Sequence, residues 1–200
     1  RGLGDVYKRQ NIEMLLDVLG LLSACSYALD CVEAELVHVS DKHAKRVAYM
    51  SVCMAEQLGI SDESLQDLAA CALLHDNALT QYIQEELHKD VANVPQASQV
   101  GIHCTLGEKN IQRLPFHTDV KNVILYHHEN YDGTGYPANL AGEKIPFGAR
   151  ILRICDVYCA LTSDRPYRSA FPREQAMELM TEEVKNFDLK MFLAFQRVIH

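Results

Sequence analysis

Apolar residues along this chain recur every three or four positions, and no stretch alternates apolar and polar residues long enough to make a strand. The period predicts an all-α fold. Helices are expected over 12–34, 41–58, 62–76, 79–88, 96–113, 119–129, 147–163, 172–184 and 189–199. Ser40 and Ser61 are placed to cap the exposed amides of new helices, and Pro172 suits a first helical position. One long irregular stretch, 130–146, breaks the series, and a loop of that length inside a compact domain usually has a task.

Composition narrows the class. The 200 residues suffice for one domain with a sizeable core, and a 48% hydrophobic and 23% charged content is ordinary for a soluble globular protein. A net charge of −8 without any lysine- and arginine-rich block argues against a DNA or RNA polymer or an anionic membrane surface as partner. It leaves a small anionic ligand open. The longest apolar stretch, 12–28, is interrupted by Glu13 and Asp17 and falls short of a membrane span.

The seven cysteines are odd in number and sit mostly inside apolar helical patterns, which reads as buried thiols in a reducing cytoplasm. Cys155 and Cys159 share a helix face but lack a second pair for a structural zinc site. Leu15, Leu16, Leu19 and Leu22 give the first helix an apolar face for a homodimer or for the core. Residues 1–10 lack an initiator methionine and read as a non-native leader, so a single domain is expected over 11–200, with an upstream sensor or receiver domain left open.

The chemistry lies in seven polar residues on otherwise apolar faces. His43 lines up with Val47, Met50 and Met54. His75 follows Leu68, Cys71 and Ala72, and Asp76 follows Ala69, Ala72 and Leu73. His127 and His128 follow Val123, Ile124 and Leu125 and diverge by about 100° on a helix. Asp156 has Leu152, Cys159 and Ala160 at helical spacing, and His103 has Val100 and Leu106 beside it. Any one of these histidines alone reads as a core imidazole bonded to a carbonyl, and His38, His88, His117 and His200 keep that reading. Together, seven inward polar groups are satisfied at once by two divalent cations, with iron, manganese and zinc all suited to imidazole and carboxylate donors.

The ordered set Leu74-His75-Asp76, His127-His128-Glu129 and Asp132-Gly133-Thr134-Gly135-Tyr136-Pro137 resembles the HD-GYP family. So do Gly142-Glu143-Lys144-Ile145-Pro146, Asp156-Val157-Tyr158 and Ser163-Asp164-Arg165-Pro166-Tyr167-Arg168. The resemblance runs from about His43 to Phe195 and implies an HD-domain helical bundle with the HD-GYP carboxy-terminal helices. It also implies a phosphodiesterase that hydrolyses cyclic di-GMP to pGpG, with further cleavage to GMP left open, by a metal-activated hydroxide. Iron or manganese is favoured by that likeness. His43, His75, Asp76 and Asp156 would serve the first metal, and Asp76, His103, His127 and His128 the second, with Asp76, His75 and Asp156 carrying catalysis. Arg165 and Arg168 match basic phosphate contacts, and Tyr136 would pack on a guanine or steady the loop.

The chain departs from that family at two places. The family continues its HD pair with a lysine that approaches the phosphate, whereas Leu79 stands here, and a glutamate used by some members for a third metal is replaced by Val39. The expectation is therefore two metals and a site without that proton donor. A cyclic-dinucleotide receptor of weak turnover, an HD phosphohydrolase for another nucleotide, and a mixed GMP–AMP cyclic substrate are the alternatives.

Overall fold

α2 (His43–Gln57) is the central helix, packed against α3 (Asp62–Leu73), α5 (Phe147–Leu161), α7 (Leu189–Ile199) and α1 (Val18–Val37). The computed structural model describes residues 17–37, 42–81 and 101–199. Within them, α4 (Ile102–Ile111) and α6 (Arg173–Glu182) complete the set, with 3₁₀ turns at Gly142–Lys144 and Val184–Asn186 and a helical turn beginning at residue 79. Among the described residues there is no strand, only the isolated bridges Asp132–Ala141 and Arg165–Arg168. The all-α expectation holds.

The core follows from the helical period. Val47 and Met54 of α2, Ile151, Leu152 and Cys155 of α5 and Phe195 of α7 are fully buried in one cluster, and Tyr158 meets Phe195 edge-on at 5.1 Å. Each such side chain contributes about 1.5–3 kcal/mol by leaving water. Buried polar groups fix the elements around it. Asp67 accepts the His117 and Thr118 amides at 2.9 and 2.6 Å, and Arg150 pairs with Asp188 at 2.6 Å, joining α5 to the start of α7. Arg46 donates to the Cys159 and Thr162 carbonyls and the Ser163 hydroxyl, closing the carboxy-terminal end of α5.

Several expected elements change. The 119–129 helix is instead a series of turns, because Asn122 adopts a left-handed φ of 64° and the Glu108 carboxylate takes the Asn122 and Leu125 amides at 2.6 and 3.2 Å. α3 ends at Leu73, so His75 and Asp76 occupy the turn beyond it and not the helix itself. Ser61 does sit at the start of α3, but its hydroxyl bonds the Asp62 carboxylate and caps no amide. Pro172 precedes α6 by one residue. Ser40, Val39 and the expected helical residues 12–16, 82–88 and 96–100 lie outside the described residues.

Candidate metal centre

Five separate segments bring the seven candidate ligands together. His43 opens α2, His75 and Asp76 form the turn after α3, His103 lies in the first turn of α4, His127 and His128 end the 121–128 turns, and Asp156 sits midway along α5. Asn77 anchors the turn after α3 by donating to the Leu74 and Gly107 carbonyls at 2.7 and 3.2 Å. Gly107 permits this approach, since a Cβ there would press on Ile124 and Asn77.

The ligand atoms fall into two groups. Those of His43, His75 and Asp156 lie within 4.8 Å of one another, and so do those of His103, Cys104, His127 and His128. Asp76 stands between them, with Oδ2 3.3 Å from His75 Nε2 and Oδ1 3.8 and 3.7 Å from His103 and His127 Nε2. Asp156 Oδ1 is 3.1 Å from His43 Nε2 and 3.9 Å from His75 Nε2, and Oδ2 is 4.0 Å from His128 Nδ1.

Backbone carbonyls aim the buried rings. His75 Nδ1 donates to the Ala72 carbonyl at 2.8 Å and His127 Nδ1 to that of Ile124 at 2.6 Å, which turns each Nε2 into the site. Both Nε2 atoms are buried without a hydrogen-bond partner. An inward nitrogen left unpartnered costs stability, and a divalent transition cation would satisfy both, taking the lone pair of each ring and, at His75, replacing the Nε2 proton. The residues present therefore fit such a cation.

Burial opposes charge on Asp76 and Asp156. The histidines beside them outweigh it, His75 and His127 for Asp76 and His43 and His75 for Asp156, and hold both carboxyls below the usual range. Burial likewise opposes a charged His75, yet Asp76 and Asp156 lift it to about 10. Burial dominates at His128, pushed down to about 2 with His127 assisting, and at His103, which is also lowered. Those two rings keep free lone pairs at neutral pH.

The predicted substrate residues divide. Tyr136 stacks on His128 at 4.8 Å and 29°, and its amide donates to the His128 carbonyl, so it braces a ligand ring. The Arg168 guanidinium is committed to the carbonyls of Ala160, Leu161, Ser163 and Ser169 at the end of α5 and stands over the Phe171 ring. Arg165 is half-buried, turned back on Arg168 through backbone bonds at 2.8 and 3.1 Å. Leu79 follows the Asp76 turn and is half-buried. His117 is exposed, 3.9 Å from Glu63, and His38, His88 and His200 lie outside the described residues.

Two contributors, Glu129 and Cys104, escaped the sequence reading. Glu129 is buried and accepts the Ala138 and Leu140 amides at 2.6 and 3.0 Å, fastening the 130–146 loop beside His128. Gly135 lets that loop close, because a Cβ there would collide with the backbone of Glu129 and Asn130. Cys104 is fully buried with Sγ 3.4 Å from His103 Nε2, and burial together with Asp76 pushes its thiol up to about 12. Its place directly after His103 was the available signal.

The HD domain family model matches residues 30–191. The chain belongs to the HD domain family. It is 33% identical over 164 residues to a cyclic di-GMP phosphodiesterase of Pseudomonas aeruginosa, covering 78% of this chain and 38% of that protein. It is also 33% identical over 162 residues to a 3′3′-cGAMP-specific phosphodiesterase of Vibrio cholerae, covering 79% and 35%. The chain thus spans little more than a third of the length of these relatives. A crystal structure of a cyclic GMP–AMP specific phosphodiesterase from V. cholerae shares the fold with a TM-score of 0.65 at 19% identity, covering 91% of this chain and 48% of that one. An HD-GYP protein of Bdellovibrio bacteriovorus superposes with a TM-score of 0.58 at 21% identity, covering 78% and 51%. The HD-GYP resemblance of the motifs agrees with these neighbours. No described helix of this HD domain is long and apolar enough to cross a membrane.

Proposed function

We propose that this HD domain is a metal-dependent phosphodiesterase for cyclic dinucleotides, cyclic di-GMP first, yielding linear pGpG with two divalent cations of the iron or manganese kind. The position of Asp76 carries the reading, since its two carboxylate oxygens face different ligand groups, as a carboxylate shared by two cations would. Two cations held by these residues would supply Lewis acidity toward a phosphodiester and lower the pKa of a water. The chain's own part is to fix the donors. His43, His75 and Asp156 form one side, His103, His127 and His128 the other, and the Ala72 and Ile124 carbonyls hold two of the rings in register. Arg165 is left to meet a substrate phosphate, because Arg168 is engaged with the end of α5.

The names of the relatives support this substrate class, and they divide between cyclic di-GMP and 3′3′-cGAMP. A receptor of weak turnover is the second reading, favoured by Leu79 at the family's lysine position. The seven free cysteines suit a reducing cytoplasm; of the expected apolar face of α1, Leu22 packs against the core, and it is exposed Val18, Leu21 and Val32 that suit self-association.

The test is anaerobic loading with iron or manganese, incubation with cyclic di-GMP or 3′3′-cGAMP, and chromatography of products beside Asp76→Ala. A metal-dependent linear dinucleotide from the parent, pGpG where cyclic di-GMP is the substrate, and neither metal nor product from the variant is expected. Dinucleotide binding without product would favour the receptor, and full metal content in Asp76→Ala would overturn the shared-carboxylate reading.

A further inference from the structure

We propose that Cys104 is a protein ligand to the cation held by His103, His127 and His128, and that its sulfur selects a thiophilic metal, zinc or ferrous iron, over manganese at that position. The proposal rests on the metal-centre reading above and adds a donor that the seven expected ligands do not include.

Position separates Cys104 from the other buried cysteines. Cys71, Cys155 and Cys159 belong to the main apolar cluster and pack as small hydrophobes, with Cys155 Sγ 4.0 Å from the Met54 sulfur. Cys104 is equally buried yet belongs to neither apolar cluster, and its sulfur lies among ring nitrogens. Sγ and the ligand nitrogens of His103, His127 and His128 all fall within 4.8 Å of one another. His127 Nε2, fully buried and without a hydrogen-bond partner, is aimed into the same group and independently calls for an occupant.

The spacing also fits. Metal–sulfur and metal–nitrogen bonds of about 2.3 and 2.0–2.1 Å put the two donors roughly 3.1–3.5 Å apart, from the right angle of a higher-coordinate site to the tetrahedral angle. Cys104 Sγ and His103 Nε2 are 3.4 Å apart already. On binding, the Sγ–H bond breaks, its proton leaves to solvent and the sulfur electron pair forms the metal bond, with no change of oxidation state. Thiolate favours zinc and ferrous iron, whereas manganese prefers oxygen donors.

X-ray absorption on the zinc-loaded parent protein tests this without a variant. A sulfur scatterer at about 2.3 Å is expected. Bound zinc with nitrogen and oxygen neighbours alone would overturn the Cys104 assignment, while failure to bind any divalent metal would overturn the metal centre itself. Cobalt substitution gives a second readout: a sulfur-to-cobalt charge-transfer band that disappears in Cys104→Ser and persists in Cys25→Ser, whose thiol is exposed on α1. Persistence of the band in Cys104→Ser would also overturn the assignment. The preference for zinc over manganese should fall in Cys104→Ser by more than the roughly 10–100-fold that loss of a ligand's outer hydrogen-bond partner costs in affinity.

Discussion

Glu129 lies under the 130–146 loop with its carboxylate accepting the Ala138 amide at 2.6 Å. Its second oxygen takes the Leu140 amide, and the loop it fastens stacks Tyr136 on His128. A buried carboxylate next in sequence to two ligand histidines thus serves the backbone, and through it the orientation of a ring.

Glu129→Gln leaves one acceptor and turns an amide N–H₂ toward a backbone N–H, which cannot pair with it. Loss of a hydrogen bond to a charged group costs about 1.5–3 kcal/mol. Urea unfolding should show that loss, and amide exchange at Ala138 and Leu140 should accelerate. An unchanged unfolding midpoint with unchanged exchange would mean the loop is held by its other contacts.

The helical period made the core legible, because Val47, Met54, Leu152 and Phe195 face inward as their spacing requires. The clustering of the candidate ligands was legible for a related reason: polar residues on apolar faces need partners, and the structure gathers His43, His75, Asp76, His103, His127, His128 and Asp156 together. What escaped were tertiary effects. The 119–129 segment has a helical pattern, but Glu108, from α4, takes its amides and Asn122 turns left-handed. Glu129 looked like a motif residue because its amide partners lie nine and eleven positions onward. Cys104 looked like one more core thiol, since its only local signal is its place after His103, and the sequence does not show that its sulfur falls among imidazoles.

Arg168 and Arg165 should now behave differently. Arg168 donates to four carbonyls around the end of α5, where a cation also opposes the helix dipole. Arg168→Ala should lower stability by about 1–3 kcal/mol through those unpaired carbonyls, with Arg168→Lys rescuing little because an ammonium lacks the planar fork. Arg165→Ala should leave the melting temperature in place and raise KM for the dinucleotide. A parental melting temperature in Arg168→Ala would return that residue to the substrate.

Leu79 places an apolar side chain one turn beyond Asp76, its amide bonded to the Asp76 carbonyl at 2.9 Å. Leu79→Lys brings an ammonium to the position from which the family approaches the phosphate. Turnover should rise, up to the roughly 10²–10⁴-fold that a positioned proton donor supplies. Steady-state rates at equal metal content decide the point, and an unchanged kcat would show that the site already has another donor.

Asp30, on α1, tests the electrostatics next to the ligands. It is 4% exposed, with Oδ1 accepting the Ala44 amide at 3.4 Å and Oδ2 buried without a hydrogen-bond partner. Burial raises its carboxyl above the ordinary 3.8, and the Ala44 amide and the charges of His43 and His75 offset this only in part, while Asp76 adds to it. A carboxyl whose folded value is raised contributes stability that is full below 3.8 and is lost as pH rises through the folded value. Asn mimics the protonated form at every pH. Metal-free Asp30→Asn should therefore match the parent in acid and exceed it in melting temperature near neutrality, with the gap opening as the pH climbs. A variant less stable than the parent at neutral pH would mean that the ionised carboxylate is favoured there as a partner for His43, outweighing its burial.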